Sequence, residues 1–315
     1  MCRWGVTMKR VVSVSLGSSD RDHKVCTNIL GVDFEIARVG TDGSIEKMKE
    51  LIKSLDGKVD AFGLGGIDLY LYAGEKRYTI KDAEKIALCA KKTPIVDGSG
   101  LKNTLERRVL NYLKKSNWQF ENKKVLMVCA LDRFGMAQTF EEFGCKVVYG
   151  DLMFSLGIPI KINNIKVLYR LAEILMPIVR YLPFKFIYPT GSKQNQHKLK
   201  YTEVFQWADI IAGDFHYIKK HMPGNLQGKT IITNTVTTKD VEMLKKLGAD
   251  ILVTTTPELN GRSFGTNVME GVLVALSGQF PLSEEQYEDL LDKVNFKPRV
   301  LNFKADELRR DLAHG

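Results

Sequence analysis

Residues 123–151, KKVLMVCALDRFGMAQTFEEFGCKVVYGD, decide the fold of this chain. Residues 125–130 form a short apolar run, which is typical of a strand buried on both faces. Residues 131–135 turn the chain, and residues 136–143 carry apolar side chains at helical spacing. A second apolar run follows over residues 145–150. This order predicts a compact strand–helix–strand unit.

A unit of this kind predicts a Rossmann-like, doubly wound parallel sheet, a fold that binds dinucleotides at its first turn. Asp151 lies about 20 residues after Ala130, where a carboxylate that binds the adenosine ribose is expected. The three glycine positions of the fingerprint G-x-G-x-x-G read Ala130, Asp132 and Gly135. Gly135 retains the glycine that lets the helix pack closely on the strand. Asp132, by contrast, adds bulk and negative charge where a pyrophosphate would lie. The pattern therefore predicts the fold and leaves dinucleotide binding open.

The length of 315 residues is enough for two domains, each with its own core. Residues 1–118 predict an N-terminal α/β domain that binds the substrate, and a polar stretch at residues 116–123 marks its end. Residues 119–285 form the Rossmann-like domain, with a hydrophobic helical insertion at about residues 152–200. Residues 286–315 are expected to pack back as a charged tail of helical pattern.

The periodicity of apolar residues places the individual elements. Predicted strands cover residues 10–16, 59–62, 94–96, 209–212, 229–234 and 251–254. Residues 23–30 and 33–39 suggest a hairpin or two further strands, and a hairpin is also expected over residues 68–80. Predicted helices cover residues 44–55, 82–92, 101–115, 240–247 and 267–276. After the insertion, strands and helices alternate as in a doubly wound sheet, with a loop expected between residues 212 and 229.

The insertion, residues 152–188, carries an amphipathic helical pattern. Its apolar stripe consists of Val167, Leu168, Leu171, Ile174, Leu175 and Ile178, with Lys166, Arg170 and Glu173 opposite. Prolines at 177 and 183 are expected to interrupt the helix, and the frequent charges exclude a transmembrane span. Three interpretations remain open: a cover over the sheet, a homodimer interface, or a basic amphipathic helix in peripheral contact with a membrane surface.

Charge and cysteine content limit the partners and the compartment. The 46 Lys and Arg residues exceed the 37 Asp and Glu residues, which gives a net charge of +9. No zinc-finger pattern, RNA-binding motif or basic block accompanies this excess, so we expect no nucleic-acid partner. The five cysteines are odd in number and include no C-x-x-C, and the first ten residues lack the apolar core of a signal peptide. These features predict a cytoplasmic protein.

Ligands of such folds bind at the carboxyl ends of the parallel strands, so polar residues there are the candidates. In the second domain the candidate cofactor-binding residues are Asp132, Arg133, Gly135, Asp151, Asn234, Thr254, Thr255 and Thr256. His216 is a catalytic candidate because a histidine in a loop titrates near neutrality; the alternative is an ordinary surface histidine. His216 and His221 lie five residues apart and do not share a helix face, so no metal site is expected.

In the first domain, three strand ends carry polar clusters, at residues 15–22, 63–68 and 97–103. The last of these opens a helix and presents backbone amides together with Lys102, which can bind an anion or transfer a proton. We therefore consider Lys102 catalytic, the alternative being a solvated position on the helix surface. The candidate substrate-binding residues are Ser18, Ser19, Arg21, Asp97, Ser99 and Asn103.

The segments SLGSSDRD (residues 15–22), DGSGLKNTLERR (97–108) and GRSFGTNVMEG (261–271) resemble those of bacterial proteins labelled quinate 5-dehydrogenase. The layout of the chain likewise resembles the shikimate/quinate dehydrogenase superfamily. Residues 101–104 are similar to the helix-opening G-x-N-T-D of that superfamily. The resemblance implies an N-terminal substrate domain, a Rossmann domain that binds NAD or NADP, and a C-terminal segment that returns to the first domain.

These observations predict an NAD(P)-dependent oxidoreductase that acts on a small hydroxyl- or carbonyl-bearing anion in an interdomain cleft. Asp151 would hold the ribose and favour NAD over NADP, and Lys102 would donate or accept the proton. One alternative is a non-redox ligand-binding or regulatory protein on a Rossmann-like scaffold. Another is a peripheral membrane enzyme with a lipid-like substrate.

Overall fold

The computed structural model describes residues 8–73, 76–183, 200–256, 258–259, 262–263 and 265–305. Within these ranges the chain has an α/β fold in which two mainly parallel sheets are flanked by helices, as predicted. Two compact units are present. Unit 1 comprises Met1–Thr104, Ala172–Gln194 and Gly265–Phe296, and unit 2 comprises Leu105–Leu171, Asn195–Phe264 and Lys297–Gly315.

The strands of the described ranges, in chain order, are β1 (Lys9–Ser15), β2 (His23–Ile29), β3 (Val32–Gly40), β4 (Ala61–Gly65), β5 (Tyr70–Ala73), β6 (Lys76–Thr79), β7 (Ile95–Val96), β8 (Lys124–Met127), β9 (Lys146–Tyr149), β10 (Ile210–Gly213), β11 (Thr230–Thr233), β12 (Ile251–Thr254), β13 (Glu258–Leu259), β14 (Arg262–Ser263) and β15 (Arg299–Asn302). The helices are α1 (Ile45–Leu55), α2 (Lys81–Ala87), α3 (Ser99–Lys115), α4 (Phe134–Glu142), α5 (Asp151–Ser155), α6 (Ile165–Val179), α7 (Thr202–Trp207), α8 (Phe215–His221), α9 (Thr238–Lys246), α10 (Thr266–Ser277) and α11 (Glu284–Lys293).

Unit 1 is built on a five-stranded sheet with the order β2-β3-β1-β4-β7. β2 runs antiparallel to β3, as the predicted hairpin requires, and the other strands are parallel. The core on one face of this sheet contains Val14, Met48, Ile52, Phe62 and Ile86, all less than 2% exposed. Burial of these apolar side chains is the main force that holds α1 and α2 on the sheet.

Unit 2 contains a six-stranded sheet with the order β15-β12-β11-β10-β8-β9. All its pairs are parallel except β12 with β15. The parallel strands follow the doubly wound order 2-1-3-4-5, in which the winding direction reverses between β8 and β10. This arrangement confirms the Rossmann-like prediction made from residues 123–151.

Capping side chains mark where several helices begin. Ser44 accepts a hydrogen bond from the backbone N–H of Lys47 at the start of α1. Capping boxes open α9 and α11, through the pairs Thr237–Asp240 and Ser283–Gln286. These side chains satisfy N–H groups that have no partner within the helix, and so they fix its first turn.

Several elements differ from the sequence prediction. Residues 212–229, expected to be a loop, contain α8, which Asp214 caps by accepting a hydrogen bond from the backbone N–H of His216. Of the residues 286–315 expected to be helical, α11 ends at Lys293, β15 follows it as an antiparallel strand beside β12, and residues 303–305 are helical; residues 306–315 lie outside the described ranges. α2 ends at Ala87 instead of residue 92.

The edges of the two units also differ from the expected domains, 1–118, 119–285 and 286–315. α10, which we assigned to the Rossmann-like domain, belongs to unit 1, where it packs against β1 and β4. Nine of its twelve residues are buried, because the helix itself carries apolar side chains on nearly every face. The first boundary falls within α3, between Thr104 and Leu105, and not in the polar stretch near residue 118.

The insertion contains α5 and α6, while residues 184–188 lie outside the described ranges. α6 continues through Pro177, which was expected to interrupt it. Its apolar residues do not share one face as predicted, because Leu168 is fully buried whereas Val167 and Ile174 are mainly exposed. No helix in the described ranges has the length and apolar character that crossing a bilayer requires.

Three of the described cysteines, Cys89, Cys129 and Cys145, carry free thiols, whereas Cys26 is disulfide-bonded. The disulfide was not expected from the sequence.

Candidate functional site

The reversal point of the unit 2 sheet, between the carboxyl ends of β8 and β10, is where a doubly wound fold binds its ligand. In this chain an ion-pair network occupies it. The Arg133 guanidinium is 3% exposed, with Nη1 2.6 Å from Glu106 Oε1 and Nη2 3.3 Å from Asp214 Oδ2. Asp132 lies 3.7 Å from the same guanidinium.

The electrostatics of this network keep Arg133 and Asp214 ionised. Burial lowers the pKa of Arg133, but the charges of Glu106, Asp132 and Asp214 outweigh it and raise the pKa. Burial likewise raises the pKa of Asp214, yet the charges of His216 and Arg133 bring it down to about 2. Both groups are therefore charged at neutral pH, and Arg133, predicted to bind a cofactor, is bound to the protein's own carboxylates.

Asp151, predicted to bind the ribose, is 5% exposed and directed at the turn after β8. Its Oδ1 accepts hydrogen bonds from the backbone N–H of Ala130 at 3.0 Å and of Leu131 at 2.9 Å. Burial raises the pKa of Asp151 to about 6, although these hydrogen bonds oppose the shift. The carboxylate thus accepts hydrogen bonds from backbone N–H groups of the turn, which in related folds bind the phosphates of a dinucleotide.

The negative charge near this turn also opposes phosphate binding. Three carboxylates (Glu106, Asp132 and Asp214) lie within 4 Å of the one guanidinium, that of Arg133, and the Asp151 carboxylate contacts the turn itself. A surplus of negative charge opposes the approach of a pyrophosphate. In the described ranges, no group of three or more His, Cys, Asp or Glu side chains is arranged to hold a metal ion.

The remaining cofactor candidates hold the loops of unit 2. Asn234 Nδ2 donates to Asp214 Oδ2 at 2.8 Å. Thr254, Thr255 and Thr256 are fully buried; the hydroxyl of Thr254 donates to the carbonyl of Thr256, and that of Thr256 donates to the carbonyl of Asn234.

Two further predicted residues of unit 2 lie on helices. Gly135 is buried in the first turn of α4. His216, the catalytic candidate, is exposed in the first turn of α8. His221, at the other end of α8, is buried, and its ring centroid lies 5.1 Å from that of Phe154.

In unit 1, Asp97 joins two loops at the carboxyl edge of the sheet. Its Oδ2 accepts hydrogen bonds from the backbone N–H of Leu69 at 2.6 Å and of Tyr70 at 3.0 Å. Its Oδ1 accepts from the backbone N–H of Ser99 at 3.0 Å and from the Ser99 hydroxyl at 2.6 Å. Asp97 and Ser99, both predicted to bind substrate, are thus in direct contact at the start of α3.

Glu270, which the sequence analysis did not select, lies beside this pair. It is 4% exposed, and its Oε2 accepts a hydrogen bond from the backbone N–H of Gly98 at 2.7 Å. Burial, together with the charge of Asp97, raises the pKa of Glu270 to about 8. A lone acidic residue in the apolar run VMEGVLVAL was the available signal, since a carboxyl group is rarely buried without a partner.

Lys102 completes the cluster. Its Nζ lies 3.6 Å from Asp68 Oδ1, and the side chains are 12% and 26% exposed. The Lys102 charge also acts on Glu270, lowering the pKa of that carboxyl against the effect of burial. We refer to Asp68, Asp97, Ser99, Lys102 and Glu270 as the Lys102 cluster. Three of its members were predicted site residues.

The other predicted substrate residues lie elsewhere in unit 1 or farther along α3. Ser18 caps the short 3-10 helix Ser19–Arg21 after β1, accepting a hydrogen bond from the backbone N–H of Asp20. The backbone N–H of Ser19 donates to Asp42 Oδ1 at 2.7 Å. Asn103 follows Lys102 in α3. These loops therefore have structural contacts of their own.

Comparison with solved structures gives distant similarities. The chain is similar to a hetero-hexameric glutamate dehydrogenase from Thermus thermophilus (TM-score 0.42, 14% identity, 91% of this chain and 73% of that chain). It is also similar to a sugar ABC transport substrate-binding protein from Bordetella parapertussis (0.37, 10%, 93% and 89%) and to an NAD-dependent malic enzyme from Thermotoga maritima (0.33, 12%, 91% and 84%). TM-scores this low support no conclusion about function.

Comparison at the level of sequence gives a clearer result. No curated protein matches the chain. Residues 10–97 match the family described as domain of unknown function DUF8753. Residues 100–303, more than half of the chain, match the family described as domain of unknown function DUF8754. The chain therefore belongs to the DUF8754 family.

Proposed function

We propose that this chain is an enzyme that acts on a small hydroxyl- or carbonyl-bearing anion at the Lys102 cluster, with Lys102 transferring the proton. The observation that carries the proposal is the placement of the Lys102 ammonium beside the Asp68 carboxylate, next to two buried carboxyl groups. Proton transfer needs a titratable group that is held in place and still reachable. Lys102 and Asp68 are the partly exposed members of the cluster.

The remaining groups have supporting roles. Asp97 and Ser99 fix the first turn of α3, from which Lys102 projects. The Lys102 ammonium is the group of the cluster that favours an anionic substrate, since the backbone N–H groups of Gly98 and Ser99 are already bonded to Glu270 and Asp97. Where a nicotinamide supplies or takes the hydride, Lys102 would donate its proton to the alkoxide formed at a carbonyl or, when neutral, remove the proton of a hydroxyl group. Without a nicotinamide, Lys102 would move a proton between the carbon beside the carbonyl and the carbonyl oxygen. Asp68 would orient the amine in both cases.

The redox form of this proposal adds NAD, or NADP as the second choice, at unit 2. Its support is the doubly wound strand order with an acidic residue, Asp151, following β9. Against it, Asp151 is bonded to Ala130 and Leu131, and Arg133 fills the reversal point of the sheet. These contacts favour the non-redox form, in which unit 2 is a scaffold that holds no dinucleotide.

A ligand screen tests the proposal. Hydroxy acids and oxo acids would be added to the wild type, to Lys102→Ala and to Lys53→Ala, which removes an exposed lysine from α1. We expect at least one acid to raise the melting temperature of the wild type and of Lys53→Ala but not that of Lys102→Ala. Equal responses from all three proteins would refute a role for Lys102.

Titration with NADH and NADPH separates the two forms. In the non-redox form neither nucleotide changes the fluorescence or the melting temperature at about millimolar concentration, which is weak binding on the scale of cofactor sites. Binding that Asp151→Ala weakens would establish the redox form.

A further inference from the structure

Helix α6 has an apolar face that is exposed. Leu168, Ala172 and Met176 form its buried side, with exposures of 0%, 0% and 8%. Val167, Ile174 and Ile178, by contrast, are 53%, 68% and 63% exposed. Their spacing of seven and four residues places them on one stripe of the helix.

Exposed apolar residues are concentrated in this part of the chain. The segment before α6 exposes Leu156, Ile158 and Ile160, and the segment after it exposes Tyr181 and Leu182. In the described ranges, eight of the thirteen exposed large apolar side chains therefore lie between residues 156 and 182. Single exposed apolar residues are common, but such a concentration marks an interaction surface.

Cations border the stripe. Lys166 and Arg170 are exposed and lie four residues apart, so they share one edge of α6 next to the apolar residues. The acidic residue of the same helix, Glu173, has its carboxylate 3.1 Å from Lys76 Nζ. An apolar stripe with a basic edge is the pattern of a helix that lies in the plane of a membrane interface.

We propose that the α6 face, formed by Val167, Ile174, Ile178, Lys166 and Arg170, docks on an anionic lipid surface. The apolar side chains enter the interface, and the two cations bind lipid headgroups. A second copy of the chain fits the same face less well. A two-fold contact through α6 would bring the basic edges of both copies to one interface, where like charges repel.

Sedimentation with vesicles tests the proposal. The full chain would be mixed with phosphatidylcholine vesicles that contain about 30% phosphatidylserine, and with pure phosphatidylcholine vesicles. We expect binding to the anionic vesicles that weakens on raising the salt from about 0.1 M to about 0.5 M, since screening shortens the reach of the charges. Lys166→Gln with Arg170→Gln should weaken binding about 25-fold, at about fivefold per cation.

The apolar contribution is tested separately. Ile174→Glu with Ile178→Glu should abolish binding, whereas Leu30→Glu, at an exposed apolar residue of the β2–β3 turn, should leave it unchanged. Because these positions are exposed, all variants should keep the melting temperature of the wild type. Absence of wild-type binding to anionic vesicles would overturn the proposal. So would a wild-type dimer in analytical ultracentrifugation that Ile174→Glu converts to a monomer.

Discussion

The hydroxyl of Tyr287 in α11 donates a hydrogen bond to Glu270 Oε1 in α10 at 2.7 Å, while Gly98 binds the other oxygen of the same carboxyl. Within unit 1, this one side chain therefore connects two helices and the loop after β7. The three residues belong to segments that lie far apart in the chain, and their contact is almost fully buried.

The first prediction concerns the pH dependence of stability. The pKa of Glu270 is raised to about 8 from an ordinary value of 4.5, so the folded state binds the proton more tightly than the unfolded state. The resulting stability is fully present below pH 4.5 and is lost as the pH rises through 8. Glu270→Gln, which mimics the protonated form, should remove this loss, whose slope is at most about 1.4 kcal/mol per pH unit.

Urea denaturation between pH 5 and pH 9 measures this effect. Glu285→Gln, at an exposed carboxyl in the first turn of α11, is the matched control. Its free energy of unfolding should decline with rising pH as that of the wild type does. A parallel decline for Glu270→Gln would show that Glu270 is ionised in the folded protein.

The second prediction concerns the buried ion pair of unit 2. Arg133→Met leaves the fully buried Glu106 carboxylate without its guanidinium partner, and we expect a loss of about 3–5 kcal/mol in the free energy of unfolding. Adding Glu106→Met should restore part of that loss, because the fully buried charge is then removed, while the remaining partners of Arg133, Asp132 and Asp214, are partly exposed to water. Chemical denaturation of both variants checks the result. A double variant that is less stable than Arg133→Met would contradict the expectation.

The third prediction concerns the turn after β8. Asp151→Ala leaves the N–H groups of Ala130 and Leu131 without their acceptor, which should cost about 1–3 kcal/mol of stability. Glu242→Ala, at an exposed position of α9, should change stability by less than about 0.5 kcal/mol. Thermal denaturation compares the two. Equal stabilities would mean that water replaces the carboxylate without cost.

The fourth prediction concerns Gly98. This residue has φ +96°, and a Cβ built there would lie 2.7 Å from the backbone nitrogen of Asn267. Gly98→Ala should therefore destabilise the chain by more than about 1 kcal/mol, because both the backbone conformation and the space exclude a side chain. Gly224→Ala, where φ is not in the left-handed region and no atom lies within 4 Å of the added Cβ, is the control.

Much of the fold could be predicted from local pattern. The strand–helix–strand unit at residues 123–151 and the hairpin at residues 23–39 are found as expected. α8 was missed because its seven residues are too few for a clear helical period. β15 was missed because four residues of intermediate polarity give no strand signal of their own.

The candidate site was only partly predictable. Asp97, Ser99 and Lys102 were found because they lie within six residues of one another at a strand end. Asp68 lies at the end of the polar cluster at residues 63–68, from which no candidate was selected, and Glu270 is 172 residues away from its partner Gly98. A period of two or of 3.6 residues carries no information about a contact at that separation.

The sequence by itself determined the order of most strands and helices, because the spacing of apolar residues is a local property that each segment carries alone. Only the tertiary structure decided what the polar residues contact. Asp151 lies where a carboxylate that binds the ribose is expected, yet it accepts hydrogen bonds from the backbone N–H groups of Ala130 and Leu131. From its position in the sequence α10 was assigned to the second domain, yet it is buried in unit 1. Both outcomes depend on burial and hydrogen bonding between distant segments, which are decided only when the whole chain packs.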